Sequence, residues 1–85
     1  MRSIEDVREE LLKLLARNQE PPAKYQPGAD IFEDYGIDSL DLIEMLFGIE
    51  HKFGVKIVDD TFAEQRLREF DRLVSYLVEH QPADS

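Results

Sequence analysis

Apolar residues recur along this 85-residue chain in three stretches with a period close to that of an α-helix, and the segments between them break the period. In the first stretch Ile4, Val7, Leu11, Leu14 and Leu15 share one face, with Arg8, Glu9, Lys13 and Arg17 mostly on the other. Ser3, with Asp6 in the first turn, suits an N-cap, so the spacing predicts a helix from there to near Asn18. Pro21-Pro22 and Pro27-Gly28 then exclude helix, because proline lacks the amide donor and biases its predecessor toward extended backbone. The resulting connection runs almost to Asp38, long for a small domain. Tyr25, Ile31, Phe32, Tyr35 and Ile37 are apolar enough to pin it across the core, and a pinned connection lets the helices it joins run parallel or cross without a tight turn.

The second stretch follows Gly36-Ile37-Asp38-Ser39-Leu40 and continues to Phe53. At about 100° per residue, Leu42, Met45, Leu46, Ile49 and Phe53 fall into one stripe, while Leu40, Ile43 and Phe47 fall nearly opposite. A helix on the side of a small globule needs one apolar stripe. The five-residue stripe is assigned to the core, and the second must meet either another helix or a partner. Asp41, Glu44, Glu50 and His51 flank it, giving an apolar centre with a largely acidic rim, as docking surfaces often have.

Gly54 is placed to end this helix in the left-handed conformation. Val55, Ile57 and Val58 form a short extended segment whose alternate residues pack inward. Asp59, Asp60 or Thr61 can cap a short helical turn through Phe62, Ala63, Glu64 and Gln65. The third stretch predicts a helix over Glu69 to Glu79, with Phe70, Leu73, Val74 and Leu77 on one face and Tyr76 at its edge. Gln81-Pro82-Ala83-Asp84-Ser85 reads as a frayed tail. The expected fold is all-α: a four-helix bundle of three longer helices and one short one, with a long first connection, forming a single domain over residues 1–85.

Charge changes this picture most. Nineteen acidic residues against ten basic give a net charge of −9, which repels nucleic acid and anionic membranes and steers basic partners inward. With no cysteine, neither disulfides nor a thiolate metal site hold the fold. No apolar run is long enough to span a membrane, and the first residues lead into a charged amphipathic segment instead of a signal peptide. A cytoplasmic monomer without membrane insertion is expected.

Ser39 is the candidate reactive group. A serine hydrolase needs a base within hydrogen-bond reach of the hydroxyl. His51 lies twelve residues further along the same helix, about 18 Å away at 1.5 Å per residue, and His80 sits near the chain end. No P-loop, dinucleotide fingerprint or zinc-ligand cluster is present, so no catalytic residue is assigned. A calcium loop from Asp30 fails because Phe32 stands where the third position needs an oxygen ligand, and Tyr35 where the turn needs glycine; no metal ligand is assigned. Ser39 can be an ordinary helix cap, but Asp38 competes for that role and leaves Ser39 to project from the first turn. An anion attached there sits at the positive end of the helix dipole, a gain of about 0.3 to 1 kcal/mol at an exposed site.

Gly36-Ile37-Asp38-Ser39-Leu40 resembles the Gly-x-Asp-Ser-Leu signature of acyl carrier proteins and related carrier domains of peptide and polyketide synthesis, whose serine bears 4′-phosphopantetheine. The similarity continues through Asp41, Glu44, Glu50 and Phe53-Gly54-Val55-Lys56-Ile57. It implies that Ser39 takes 4′-phosphopantetheine covalently from a phosphopantetheinyl transferase, with Asp38 helping to hold that enzyme's metal ion or substrate. The arm's thiol then carries acyl or aminoacyl groups as thioesters. Loading ligases, synthases and acyltransferases with basic patches are the implied partners, docking on Leu40, Ile43 and Phe47 with Asp41, Glu44 and Glu50 as the acidic rim.

Against the fatty-acid members of that family, His51 and Lys52 replace usual acidic residues, Gly48 replaces a common alanine, and Arg68-Glu69 precede the last helix where a hydroxyl is usual. The first three departures favour a dedicated pathway over housekeeping fatty-acid synthesis. A non-covalent interaction module with a carrier-like fold is the alternative function. The net charge of −9 yields one physical prediction: raising salt from low to moderate concentration, or adding a divalent cation, should raise the melting temperature, as followed by circular dichroism. A fall would contradict it.

Overall fold

The computed structural model describes residues 2–16 and 23–82, and among them the chain forms four helices: α1 (Ile4–Leu15), α2 (Ser39–Phe53), α3 (Asp59–Glu64) and α4 (Phe70–His80). The architecture is the expected all-α bundle of three longer helices and one short one. Arg17, Asn18 and the Pro21-Pro22 pair lie outside the described residues, as do Ala83–Ser85.

Ser3 opens α1 by accepting the Asp6 amide at 3.2 Å on its hydroxyl, the N-cap expected from its type. The buried face is Val7, Leu11, Leu12 and Leu15. Ile4, expected in the core, is 47% exposed; the buried face of α1 begins at Val7. Leu14 is half-buried and turned toward α2 instead.

Met45, Ile49 and Phe53 form the inward stripe of α2, with Leu42 and Leu46 half-buried at its margins. Each fully buried side chain of this size contributes about 1.5 to 3 kcal/mol, so the stripe fixes the rotation of the helix. Gly54 ends it at φ 69°, ψ 22°, with its amide donating to the Glu50 carbonyl at 3.0 Å. Gly48 has a packing reason. A Cβ there would come within 2.9 Å of Leu14 Cδ2, so the glycine, which costs about 0.5–1 kcal/mol relative to alanine within a helix, lets α1 and α2 approach closely. The contact is reinforced by Lys52, whose ammonium donates to Glu10 at 2.9 Å and holds that carboxyl below the usual range.

The long connection is pinned. Ile31 and Ile37 are buried, and Tyr25, Phe32 and Tyr35 pack against the same core. Asp34 accepts the Asp30 amide at 2.7 Å, and the Asp34 amide returns a bond to the Asp30 carbonyl at 2.8 Å, closing the turn that leads into α2. The connection also solves the start of α4. Glu69 caps α4 with no side-chain bond. Instead the Phe70 amide donates to the Ala29 carbonyl and the Ile31 amide to the Arg68 carbonyl, each at 2.9 Å, an antiparallel bridge pairing Asp30 with Glu69. α4 therefore begins at Phe70, one residue later than expected. The usual hydroxyl is dispensable because a backbone carbonyl takes its place.

Val55 and Ile57 alternate inward as expected, and Val58 faces solvent. α3 is capped by Val58 without a side-chain bond, so none of Asp59, Asp60 and Thr61 is the cap. All three lie inside the helix, where Asp59 and Asp60 occupy the first turn and favour the dipole instead. Gln81, expected to fray, is 6% exposed. Its side-chain amide accepts the Arg2 amide at 3.0 Å and donates to the Arg2 carbonyl at 2.7 Å. The Arg2 guanidinium donates to the Lys52 carbonyl at 3.3 Å and lies over the Phe53 ring. The start of α1 thus ties together the ends of α2 and α4.

Asp30 also binds Arg68 through both carboxylate oxygens, the shortest contact being 2.7 Å. That pairing, helped by the Phe32 amide, holds its carboxyl below the ordinary range. A carboxyl depressed on folding stabilises above its unfolded pKa, near 3.9, and loses that contribution as pH falls through the folded value. Asp30→Asn should therefore melt below the wild type at pH 7, and the gap should close as pH drops below about 4. A gap that stays constant from pH 7 to 3 would show that the ion pair is energetically silent.

Candidate functional site

Two carboxylates arrange the head of α2. Asp38, in extended conformation, accepts the Asp41 amide at 2.8 Å, and Asp41 accepts the Asp38 amide at 3.2 Å. This reciprocal capping box satisfies two donors at the helix start. Ser39 is the first residue of the helix proper and is exposed, and no hydrogen bond among the described residues engages its hydroxyl. The chemistry the position permits follows: a small nucleophilic oxygen, open to another protein, at the positive end of a 15-residue helix.

Among the described residues neither histidine hydrogen-bonds its hydroxyl. His51 is exposed on α2, and His80 is occupied elsewhere: its ring stacks on Tyr76 at 3.9 Å and its Nδ1 lies 2.9 Å from the Tyr76 carbonyl oxygen. The aspartates before α2 are engaged on the turn and the cap: Asp34 accepts the Asp30 amide, Asp30 the Phe32 amide and Asp38 the Asp41 amide. Among the described residues no group of three or more His, Cys, Asp or Glu side chains is placed to hold a metal ion.

The second apolar stripe is uncovered. Leu40 is 72% exposed, Ile43 50% and Phe47 68%, and Glu44 and Glu50 are exposed beside them. Asp41 is half-buried and shared with the cap, so the outer acidic rim is chiefly Glu44 and Glu50. Beyond Phe47 the face continues into a groove of about 190 Å³ lined by Ile43, Leu46, Phe47, Glu50, Lys56, Ile57 and Asp59. The helical period of α2 by itself ends this surface at Glu50, whereas the groove continues onto Lys56, Ile57 and Asp59. The alternation that buries Val55 and Ile57 also turns Lys56 and Val58 outward, and that signal was available.

The chain matches the family model described as a phosphopantetheine attachment site over residues 5–76. It belongs to the acyl carrier protein family. It is 38% identical to the acyl carrier protein of Zymomonas mobilis over 60 residues, covering 71% of this chain and 74% of that one. It is 39% identical to the acyl carrier protein of Rubrobacter xylanophilus over 57 residues, covering 67% and 68%. Against mitochondrial acyl carrier protein 2 of Arabidopsis thaliana the identity is 32% over 62 residues, covering 73% and 48%.

Members of this family are carriers with a covalent 4′-phosphopantetheine arm, are not themselves catalytic, and interact with transferases and synthases. The head of α2 fits such a group. The arm's phosphodiester is an anion, and the Ser39 and Leu40 amides belong to the first turn, where a helix leaves its donors without intrahelical acceptors. The arm supplies the thiol on which cargo is held. Among the described residues no helix is long and apolar enough to cross a membrane.

Proposed function

We propose that residues 1–85 act as one carrier domain whose Ser39 bears the 4′-phosphopantetheine arm and shuttles acyl or aminoacyl thioesters between separate cytoplasmic enzymes. The observation that carries this reading is the exposed Ser39 hydroxyl, freed from capping by Asp38. A serine used as the cap would have its oxygen tied to a backbone amide and would be a poorer nucleophile.

The same reading assigns Leu40, Ile43 and Phe47 as the apolar contact for partner enzymes, with Glu44 and Glu50 steering their basic patches and Asp38 and Asp41 marking the tether point. The phosphopantetheinyl transferase, the loading ligase and the synthases or acyltransferases would all meet this face. For the pathway, two of the unusual residues have reasons inside the fold: Gly48 makes room for Leu14 and Lys52 pairs with Glu10. His51 is exposed and has no such reason, and it supports a dedicated pathway with a specialised acyl or amino-acid cargo.

Incubation with coenzyme A and a broad-specificity phosphopantetheinyl transferase should add one arm by intact mass, with peptide mapping at Ser39 and no addition to Ser39→Ala. Absence of the arm there and in protein from the native host would favour a non-covalent module. Among docking variants, Phe47→Ala should slow cargo transfer roughly five- to thirtyfold, equivalent to about 1–2 kcal/mol. Glu44→Lys should slow it by roughly three- to tenfold at low salt and less at high salt. Both side chains are exposed, so melting temperatures should stay near wild type; normal transfer rates in both variants would remove the docking role.

A further inference from the structure

Of the chain's two histidines, one stands on the rim of the uncovered face of α2. His51 is exposed and follows Phe47 by one helical turn, so the two are surface neighbours. Helical spacing puts it on the edge of the apolar stripe nearer to α1, which meets α2 through Leu14 against Gly48 and Glu10 with Lys52. The charged groups on its own helix are Glu44, Glu50 and Lys52. Those that α1 brings to the same contact are Glu10 and Lys13, and Lys56 and Asp59 follow α2. His80 belongs to α4, where it is stacked on Tyr76.

Imidazole ordinarily changes charge between about pH 5 and 8, whereas carboxylate and ammonium groups ordinarily titrate outside that window. Protonation of His51 therefore takes the summed charge of Glu44, Glu50 and His51 from −2 to −1. The direction of the effect does not depend on where the ring points. Toward Glu50 an imidazolium weakens that carboxylate's field, and toward solvent it repels an incoming cation.

One partner must come to the head of this helix. Enzymes that work on the cargo meet it at the far end of the arm, but the enzyme that attaches the arm has to bring its active site to the Ser39 hydroxyl itself. Its other substrate, coenzyme A, carries a diphosphate, so the site it presents there holds cations. An interface of about 800 Å² per partner is roughly 30 Å across. Centred between Ile43 and Phe47, it takes in both Ser39 and His51, each about 9 Å away along the helix axis.

We propose that His51 makes attachment of the arm pH-dependent: the phosphopantetheinyl transferase, steered by the Glu44 and Glu50 rim, captures the apo protein more slowly when His51 is protonated. The inference rests on the docking role assigned above and adds its regulation.

The test converts apo protein, at a concentration well below KM, with coenzyme A and a broad-specificity phosphopantetheinyl transferase. Rates are read by intact mass at about pH 8 and about pH 5.5. Each variant is divided by wild type at the same pH, so that the enzyme's own titration cancels. The ratio for His51→Gln should rise about two- to fivefold from the higher pH to the lower at low salt, and less at high salt. His51→Lys, charged at both, should run about two- to fivefold below wild type at the higher pH and approach it at the lower. The ratio for His80→Gln should stay constant. A constant ratio for His51→Gln would overturn the proposal, as would an equal rise for His80→Gln, which would assign the effect to net charge instead of the rim. Failure of the carrier reading looks different, since no protein in the series would then take an arm at Ser39, and failure of the docking role would show as a wild-type rate for Phe47→Ala.

Discussion

A carboxylate takes the helix cap at the head of α2, and the exposed serine depends on it. Ser, Asp and Asn are close to equivalent as N-caps, so a serine at this junction would ordinarily turn its oxygen back onto the backbone. Asp38 occupies that position one residue earlier, and Asp41 completes the exchange. Two constraints are met together. The helix gains a firm start, and the next residue keeps a hydroxyl with no structural duty. The reciprocal bonds also direct both carboxylates at backbone amides, which tempers their repulsion of an anion placed beside them.

The cap holds its place only because the connection before it is rigid. Its backbone donates to and accepts from the residues that begin α4, its Asp30 grips Arg68, and its Tyr25 hydroxyl donates to Asp71 at 2.7 Å. The Gly28 amide reaches the same carboxylate at 3.0 Å. A stretch that proline keeps from being helical thus acts as a brace between the last helix and the second. At the opposite end Arg2 and Gln81 close the bundle by gathering the ends of α2 and α4. With a core this small, such polar ties matter more than they would in a larger domain.

The elements with strong helical period were legible in the sequence, and so was the geometry of the candidate site, because both are local: periodicity places Met45, Ile49 and Phe53 inward and Phe47 outward, and Asp38-Ser39 is a contiguous pair. What escaped the sequence was non-local. The cap of α4 is a carbonyl from Ala29, some forty positions away in the chain. Gln81 is fixed by Arg2 at the other terminus. Gly48 stands out in the sequence only as a departure from alanine, and its reason is Leu14 on another helix. Helical spacing puts Asp41 on the acidic rim, and the structure shares it with the cap. In each case the residue type was compatible with several partners, and only the three-dimensional path chose among them.

On the proposed docking role, the exposed face of α2 sets the scale of the apolar contact that partners can make with this carrier. Three apolar side chains covered in a complex contribute about 1.5 to 3 kcal/mol each at most, while association costs roughly 4 to 15 kcal/mol in lost freedom before any side-chain ordering. The proposed docking role therefore favours short-lived complexes, since these three side chains alone leave little surplus. Acidic groups on the rim raise the encounter rate without much lengthening the stay. A protein that hands the same cargo to successive enzymes benefits from that balance, because a patch large enough to bind one partner tightly would block the next from the same tether point.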